Sequence, residues 1–114
     1  MKLNRPFLEH VVLEVFKTPL KIKTYQSIEN KLVQFAKMCN LTILFKIGYN
    51  FKPYGFTRAY VLSESHIIFH SWPQNQYIII DLLSCKKLMP SNKLRNIAQK
   101  VFKTNKVVAR RIKY

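Results

Sequence analysis

Acidic side chains are scarce in this chain. Five Asp and Glu stand against 20 Lys and Arg in 114 residues, a formal net charge of +15 at pH 7. Glycine is scarcer still, with two residues and neither a GxGxxG nor a P-loop pattern, which excludes the glycine-built phosphate cradles of nucleotide-binding folds. Two cysteines, Cys39 and Cys85, are too few for a disulfide framework and fit a cytoplasmic protein with reduced thiols. No apolar run approaches the ~20 residues that span a bilayer, so no membrane partner is expected. Lys2, Arg5, Glu9 and Glu14 interrupt the first 16 residues, so no secretory leader is expected either.

Hydrophobic residues are plentiful at 48%, which excludes disorder and allows one domain over residues 1–114. A core of this size is modest, and pairing with a second copy would enlarge it. The positive charge fits nucleic acid, an acidic surface or a plain solvated exterior. Lys and Arg are spread along the chain, densest at Arg110, Arg111 and Lys113, and no RNA-recognition, KH or zinc-finger pattern accompanies them. The solvated exterior is therefore favoured over a nucleic-acid partner.

The spacing of apolar residues predicts the elements. Val and Leu over 8–16 read as a strand, closed by Pro19. Ile28, Leu32, Phe35 and Ala36 mark one face of a helix over 24–39, with Thr24 or Ser27 as its cap. Leu41, Ile43, Phe45 and Ile47 alternate along a strand and share one face. "KPYG" (52–55) is a turn, "RAYVLSE" and "HIIFHSW" are strands flanking Ser65, "PQNQ" is a turn, and "YIIIDLLS" is a central strand. Ser91 caps a second helix carrying Leu94, Ile97, Ala98, Val101 and Phe102, and "KVVARRI" closes as a strand. The order β-α-β-β-β-β-α-β predicts an α+β domain, a two-layer sandwich of an antiparallel sheet with both helices on one face. The other face is left apolar and needs cover, which again points to a homodimer.

The chemistry concentrates in "LSESHIIFHSWP", 62–73. His66 and His70 lie on one face of a strand but roughly 13 Å apart, too far to share one metal ion, so no metal site is expected. Ser65 and His66 are strand neighbours pointing to opposite faces, and no GxSxG elbow exists, so a serine hydrolase does not fit. A different serine chemistry does. The Ser65 hydroxyl can attack the Glu64 carbonyl carbon, forming an ester. β-Elimination then cuts the chain, and loss of ammonia leaves a pyruvoyl group in place of Ser65. This needs a strained turn and a base for the serine α-proton, not an apposed triad.

The segment 53–85 resembles the core of the short prokaryotic S-adenosylmethionine decarboxylases. It keeps their Glu-Ser-His at 64–66, second His at 70, Trp-Pro at 72–73, Tyr77, Asp81 and Cys85 at the family's spacing, and His10 matches a histidine near the start of the family's first strand. The resemblance implies self-cleavage between Glu64 and Ser65 into chains 1–64 and 65–114, with a covalent pyruvoyl cofactor derived from Ser65. His70 would take the α-proton during elimination, Thr57 would assist processing from a position the family fills with serine, and Cys85 would protonate the decarboxylated carbon. Phe51 and Trp72 would meet the adenine and sulfonium of the substrate. The pyruvoyl carbonyl would capture the substrate amine as a Schiff base and accept the electrons released with CO2.

Departures from the family surround these positions. Gln74 stands where the family has a ribose-binding Glu, Arg58 replaces a Gly, Ser84 a Thr and Lys86 a Gly. These changes are expected around the substrate pocket. Three functions stay open on the sequence: S-adenosylmethionine decarboxylation feeding polyamine and spermidine synthesis, decarboxylation of ornithine or arginine on the same scaffold, and a relic that binds through its charge.

Overall fold

Six stretches of alternating or continuous apolar residues form one antiparallel sheet in the computed structural model, which describes residues 3–114. The strands are β1 (Glu9–Val15), β2 (Ile43–Asn50), β3 (Phe56–Leu62), β4 (Ser65–Trp72), β5 (Tyr77–Ser84) and β6 (Val107–Ile112). The helices are α1 (Glu29–Met38), after β1, and α2 (Ser91–Phe102), after β5. In the sheet the order is β2-β3-β4-β5-β1-β6, so "YIIIDLLS" is central as expected.

Both helices cover the same face. Phe35 of α1 lies 5.9 Å from the Phe102 ring of α2 and 6.2 Å from the Phe69 ring beneath. Val11, Leu13, Val15, Tyr60, Ile67, Ile78, Ile80 and Leu82 point into this layer and are buried. The pleat sends every second side chain the other way. That second face carries no helix and holds Thr57, Ala59 and Val61 of β3 opposite His70, Ile68 and His66 of β4.

Three local expectations are corrected. α1 starts at Glu29, not 24, because Tyr25–Ser27 forms a separate 3-10 turn. The Ser27 hydroxyl donates to the carbonyls of Thr24 and Lys21 and caps nothing. Ser91 is the first residue of α2, and Pro90 takes the cap position with its pre-set φ of −54°. In β2 the register shifts between Ile43 and Phe45, so Ile43 pairs with Leu62 and Phe45 with Val61. The extra residue of this bulge turns Leu41 and Ile43 towards the core but Phe45 and Ile47 onto the open face.

Candidate active site

β4 begins where the backbone is distorted. Ser65 has φ = 149°, a region that glycine reaches freely and a side chain enters at a cost of about 1–3 kcal/mol. The surroundings impose it. The Ser63 N–H donates to the Thr42 carbonyl at 3.0 Å, and the Cys85 N–H donates to the Glu64 carbonyl at 2.8 Å. The Thr42 N–H donates to Glu64 Oε1 at 3.1 Å. Partial burial pushes the Glu64 carboxyl up, but hydrogen bonds from the Thr42 N–H, Ser63 and its own N–H, with the nearby Lys86 ammonium, hold it below the ordinary carboxylate range. The carbonyl before Ser65 thus carries a fixed donor of the type that stabilises an oxyanion. Ser84 pairs with Ser65 across the β4–β5 ladder, which brings the next residue, Cys85, beside the Glu64–Ser65 bond. The Cys85 thiol is exposed. Burial pushes the other thiol, Cys39, up to about 12, so it serves as a core group.

A second group gathers at the other end of β4. Phe51, Thr57, His70, Trp72 and Gln74 line one cavity of about 390 Å³. Thr57 and His70 are cross-strand partners, and the hydroxyl sits 2.9 Å from His70 Nδ1. Burial lowers the His70 pKa and outweighs the opposing charge of Asp81, so the ring is neutral and basic near pH 7. The Trp72 ring stands 6.2 Å from His70 and 5.6 Å from Tyr77. The floor is the "PYG" turn. Gly55 has φ = 104° and donates to the Lys23 carbonyl at 2.7 Å, and a Cβ there would lie 3.3 Å from the Ser71 carbonyl.

The two groups do not meet within one chain. Ser65 pairs with Ser84 and His70 with Ile79, five residues along, or about 16 Å at the rise of a strand.

The departures from the family divide in the same way. Gln74 is in the cavity. Arg58 is not: it turns to the helix side, pairs with Glu29 at 2.7 Å and stacks its guanidinium 4.0 Å over the Tyr25 ring. Glu29 also accepts from the Tyr60 hydroxyl. Gly48 opposite makes room, since a Cβ there would lie 2.9 Å from Arg58 Cδ. Ser84 is fully buried beneath the sheet, and Lys86 lies near Glu64 at the opposite end from the cavity. Within one chain Arg58, Ser84 and Lys86 therefore do not line this cavity, because strand alternation and strand length separate them from it.

Some groups were not found from sequence. The Cys85 N–H and the Thr42 N–H are backbone donors, which no residue type announces. Asp81 bridges two strands: His10 Nε2 lies 2.5 Å from one oxygen and His66 Nε2 3.4 Å from the other, while His10 Nδ1 lies 2.6 Å from the Tyr114 hydroxyl. Asp81 and both histidines belong to the motif, but only the register brings them together. Among the described residues no group of three or more His, Cys, Asp or Glu side chains is placed to hold a metal ion.

A family model described as S-adenosylmethionine decarboxylase matches residues 9–113. The chain belongs to that family. It is 34% identical over 86 residues to the S-adenosylmethionine decarboxylase proenzyme of Clostridium botulinum (strain Loch Maree / Type A3), covering 75% of this chain and 74% of that one. It is 34% identical over 101 residues to the proenzyme of Methanococcus maripaludis (strain C5 / ATCC BAA-1333), covering 87% and 82%. The crystal structure of the adenosylmethionine decarboxylase from Aquifex aeolicus VF5 superposes with a TM-score of 0.75 over 96% of this chain and 91% of that one. At 22% identity, that likeness supports the fold. Among the described residues no helix is long and apolar enough to cross a membrane.

Proposed function

We propose that this chain is the proenzyme of a pyruvoyl-dependent decarboxylase that cuts itself between Glu64 and Ser65 and converts S-adenosylmethionine to its decarboxylated form for polyamine and spermidine synthesis. The observation that carries it is the strained Ser65, with the Cys85 N–H seated on the carbonyl its hydroxyl must attack. The hydroxyl oxygen bonds to the Glu64 carbonyl carbon, the old C–N bond breaks and an ester remains. A neutral His70, held by the Thr57 hydroxyl 2.9 Å from its Nδ1, removes the Ser65 α-proton. The Glu64 carboxylate departs to leave a dehydroalanyl end, which tautomerises to an imine, and water hydrolyses the imine to release ammonia and leave the pyruvoyl group. Strain, donor and free chain end at Ser65 fit that group. When present, its carbonyl supplies the electron sink for the electrons released with CO2. The Cys85 thiol delivers a proton to the substrate carbon. Phe51 and Trp72 offer π-faces to adenine and sulfonium, and Gln74 offers one acceptor and one donor to the ribose. The relatives are named for S-adenosylmethionine, which favours this substrate over ornithine or arginine. Free thiols fit the reducing cytoplasm.

A second copy completes the site. Ser65 stands about 16 Å from His70 along β4, with Cys85 beside it at the end of β5, so His70 of one copy serves Ser65 of the other when two open sheet faces meet in opposite directions. The open face fits such a contact, since Phe45, Ile47 and Tyr49 expose 58, 57 and 64% of their surface on it.

Two measurements test the proposal. Intact mass of the wild type should show fragments 1–64 and 65–114, the second with a blocked N-terminus, while Ser65→Ala stays whole. A wild type that remains uncut after long incubation overturns the processing. Co-expressed Cys85→Ala and His70→Ala chains should regain about a quarter of wild-type turnover through mixed dimers that hold one intact site. No regain, with each variant inactive alone, places both residues in a site within one chain.

A further inference from the structure

We propose that Ser84 is a positioning residue: its hydroxyl aims the Cys85 thiol and so decides which carbon is protonated after CO2 leaves. The inference rests on the proton-donor role given to Cys85 above. Ser84 ends β5 and is 0% exposed. A hydroxyl that deep must find partners, and this one finds both in a single residue. Ser84 Oγ donates to the Lys86 carbonyl at 2.6 Å and accepts from the Lys86 N–H at 3.0 Å. The two bonds close a loop around Cys85. The Cys85 N–H is tied to the Glu64 carbonyl at 2.8 Å. Residue 85 is thus held from before by the carbonyl at the scissile bond and from behind by the Ser84 hydroxyl. Its side chain is exposed and unpacked, so the backbone is what sets the direction of its Cα–Cβ bond. Lys86 and Lys87 beyond it are exposed and bury nothing that would fix the turn.

Two carbons compete for the proton once CO2 has gone. Protonation of the substrate carbon, followed by hydrolysis, releases the amine and restores the chain end. Protonation of the carbon derived from Ser65 does otherwise. That carbon is reduced, the substrate carbon is oxidised, and hydrolysis releases the substrate portion as an aldehyde. The amine nitrogen stays behind, and the chain then begins with alanine at position 65. The balance is one amino acid and one α-ketoacyl end giving one aldehyde, one CO2 and one alanyl end. The thiol's direction sets the partition, because a displacement of about 1 Å can cost 100-fold in a proton transfer.

The measurement is the fraction of residue 65 recovered as alanine, by mass and N-terminal sequencing, after a fixed number of turnovers of S-adenosylmethionine. Ser84→Ala should raise the alanine formed per turnover by about 10- to 100-fold. Its KM should stay near wild type, since Ser84 touches no cavity residue. Ser84→Val and Ser84→Thr match each other in shape and differ by one hydroxyl. Val should behave as Ala, and Thr should restore the wild-type fraction. Equal alanine fractions in Val and Thr overturn the proposal even where Ser84→Ala folds poorly. Cys85→Ala separates the two ideas. If it forms no more alanine than wild type, the proton-donor reading of Cys85 fails, and the Ser84 proposal falls with it. If it forms much more while Ser84→Val does not, the Ser84 proposal alone fails.

Discussion

The conformation of Ser65 predicts an inverted order of stability between two uncleavable variants. Neither Ser65→Gly nor Ser65→Ala has a hydroxyl, so both stay whole. Alanine keeps a Cβ at φ = 149° and with it the strain of about 1–3 kcal/mol. Glycine removes that strain and costs about 0.5–1 kcal/mol in unfolded-chain entropy. At mid-range Ser65→Gly is the more stable by about 1 kcal/mol, or about 4 °C in Tm for a domain of this size. Thermal unfolding of both variants at equal protein concentration measures it, because any dimer makes Tm concentration-dependent. The ordinary order, with Ala above Gly, would refute the strain assigned to Ser65. The same energy, released on the first acyl shift, is worth about 5- to 150-fold in processing rate.

Three further outcomes follow from the site. Burial depresses the His70 pKa, so the basic form persists below the ordinary histidine value of about 6.5 and the acid limb of the processing rate should fall at a lower pH than that. A limb above 6.5 in stopped-time gels would exclude His70 as the base. The sign for stability agrees: below the unfolded pKa the unfolded chain binds the extra proton, so this histidine weakens the fold as pH drops through that range. Gln74→Glu should tighten S-adenosylmethionine by about 10- to 100-fold in KM by adding a charge-assisted bond to the ribose diol, and an unchanged or raised KM would remove residue 74 from that role. Ile47→Lys puts a charge on the open face and should yield monomers in light scattering together with loss of processing; active monomers would contradict the shared site.

Residue pattern alone determined a good deal. Alternation of apolar side chains marked six strands, and two stripes at helical spacing marked the helices covering one face, because burial of one side of each element is a local property of the chain. Glu64, Ser65, His66, His70 and Cys85 carried the resemblance to the S-adenosylmethionine decarboxylases, and that resemblance implied a self-cleaving Ser65. What the tertiary structure decided depends on register and on backbone groups. One bulged residue between Ile43 and Phe45 moved Phe45 and Ile47 onto the open face, although the alternation assigned them with Leu41. The β4–β5 register set Cys85 beside the Glu64 carbonyl yet kept His70 five residues away, dividing in space a motif that is continuous in sequence. Arg58, next to Thr57 in the chain, went to the opposite face and paired with Glu29. The donors that hold Glu64, the N–H groups of Thr42 and Cys85, are common to nearly every residue type. Only the fold makes them particular, because a backbone donor acquires a role from where it points and not from the side chain it carries.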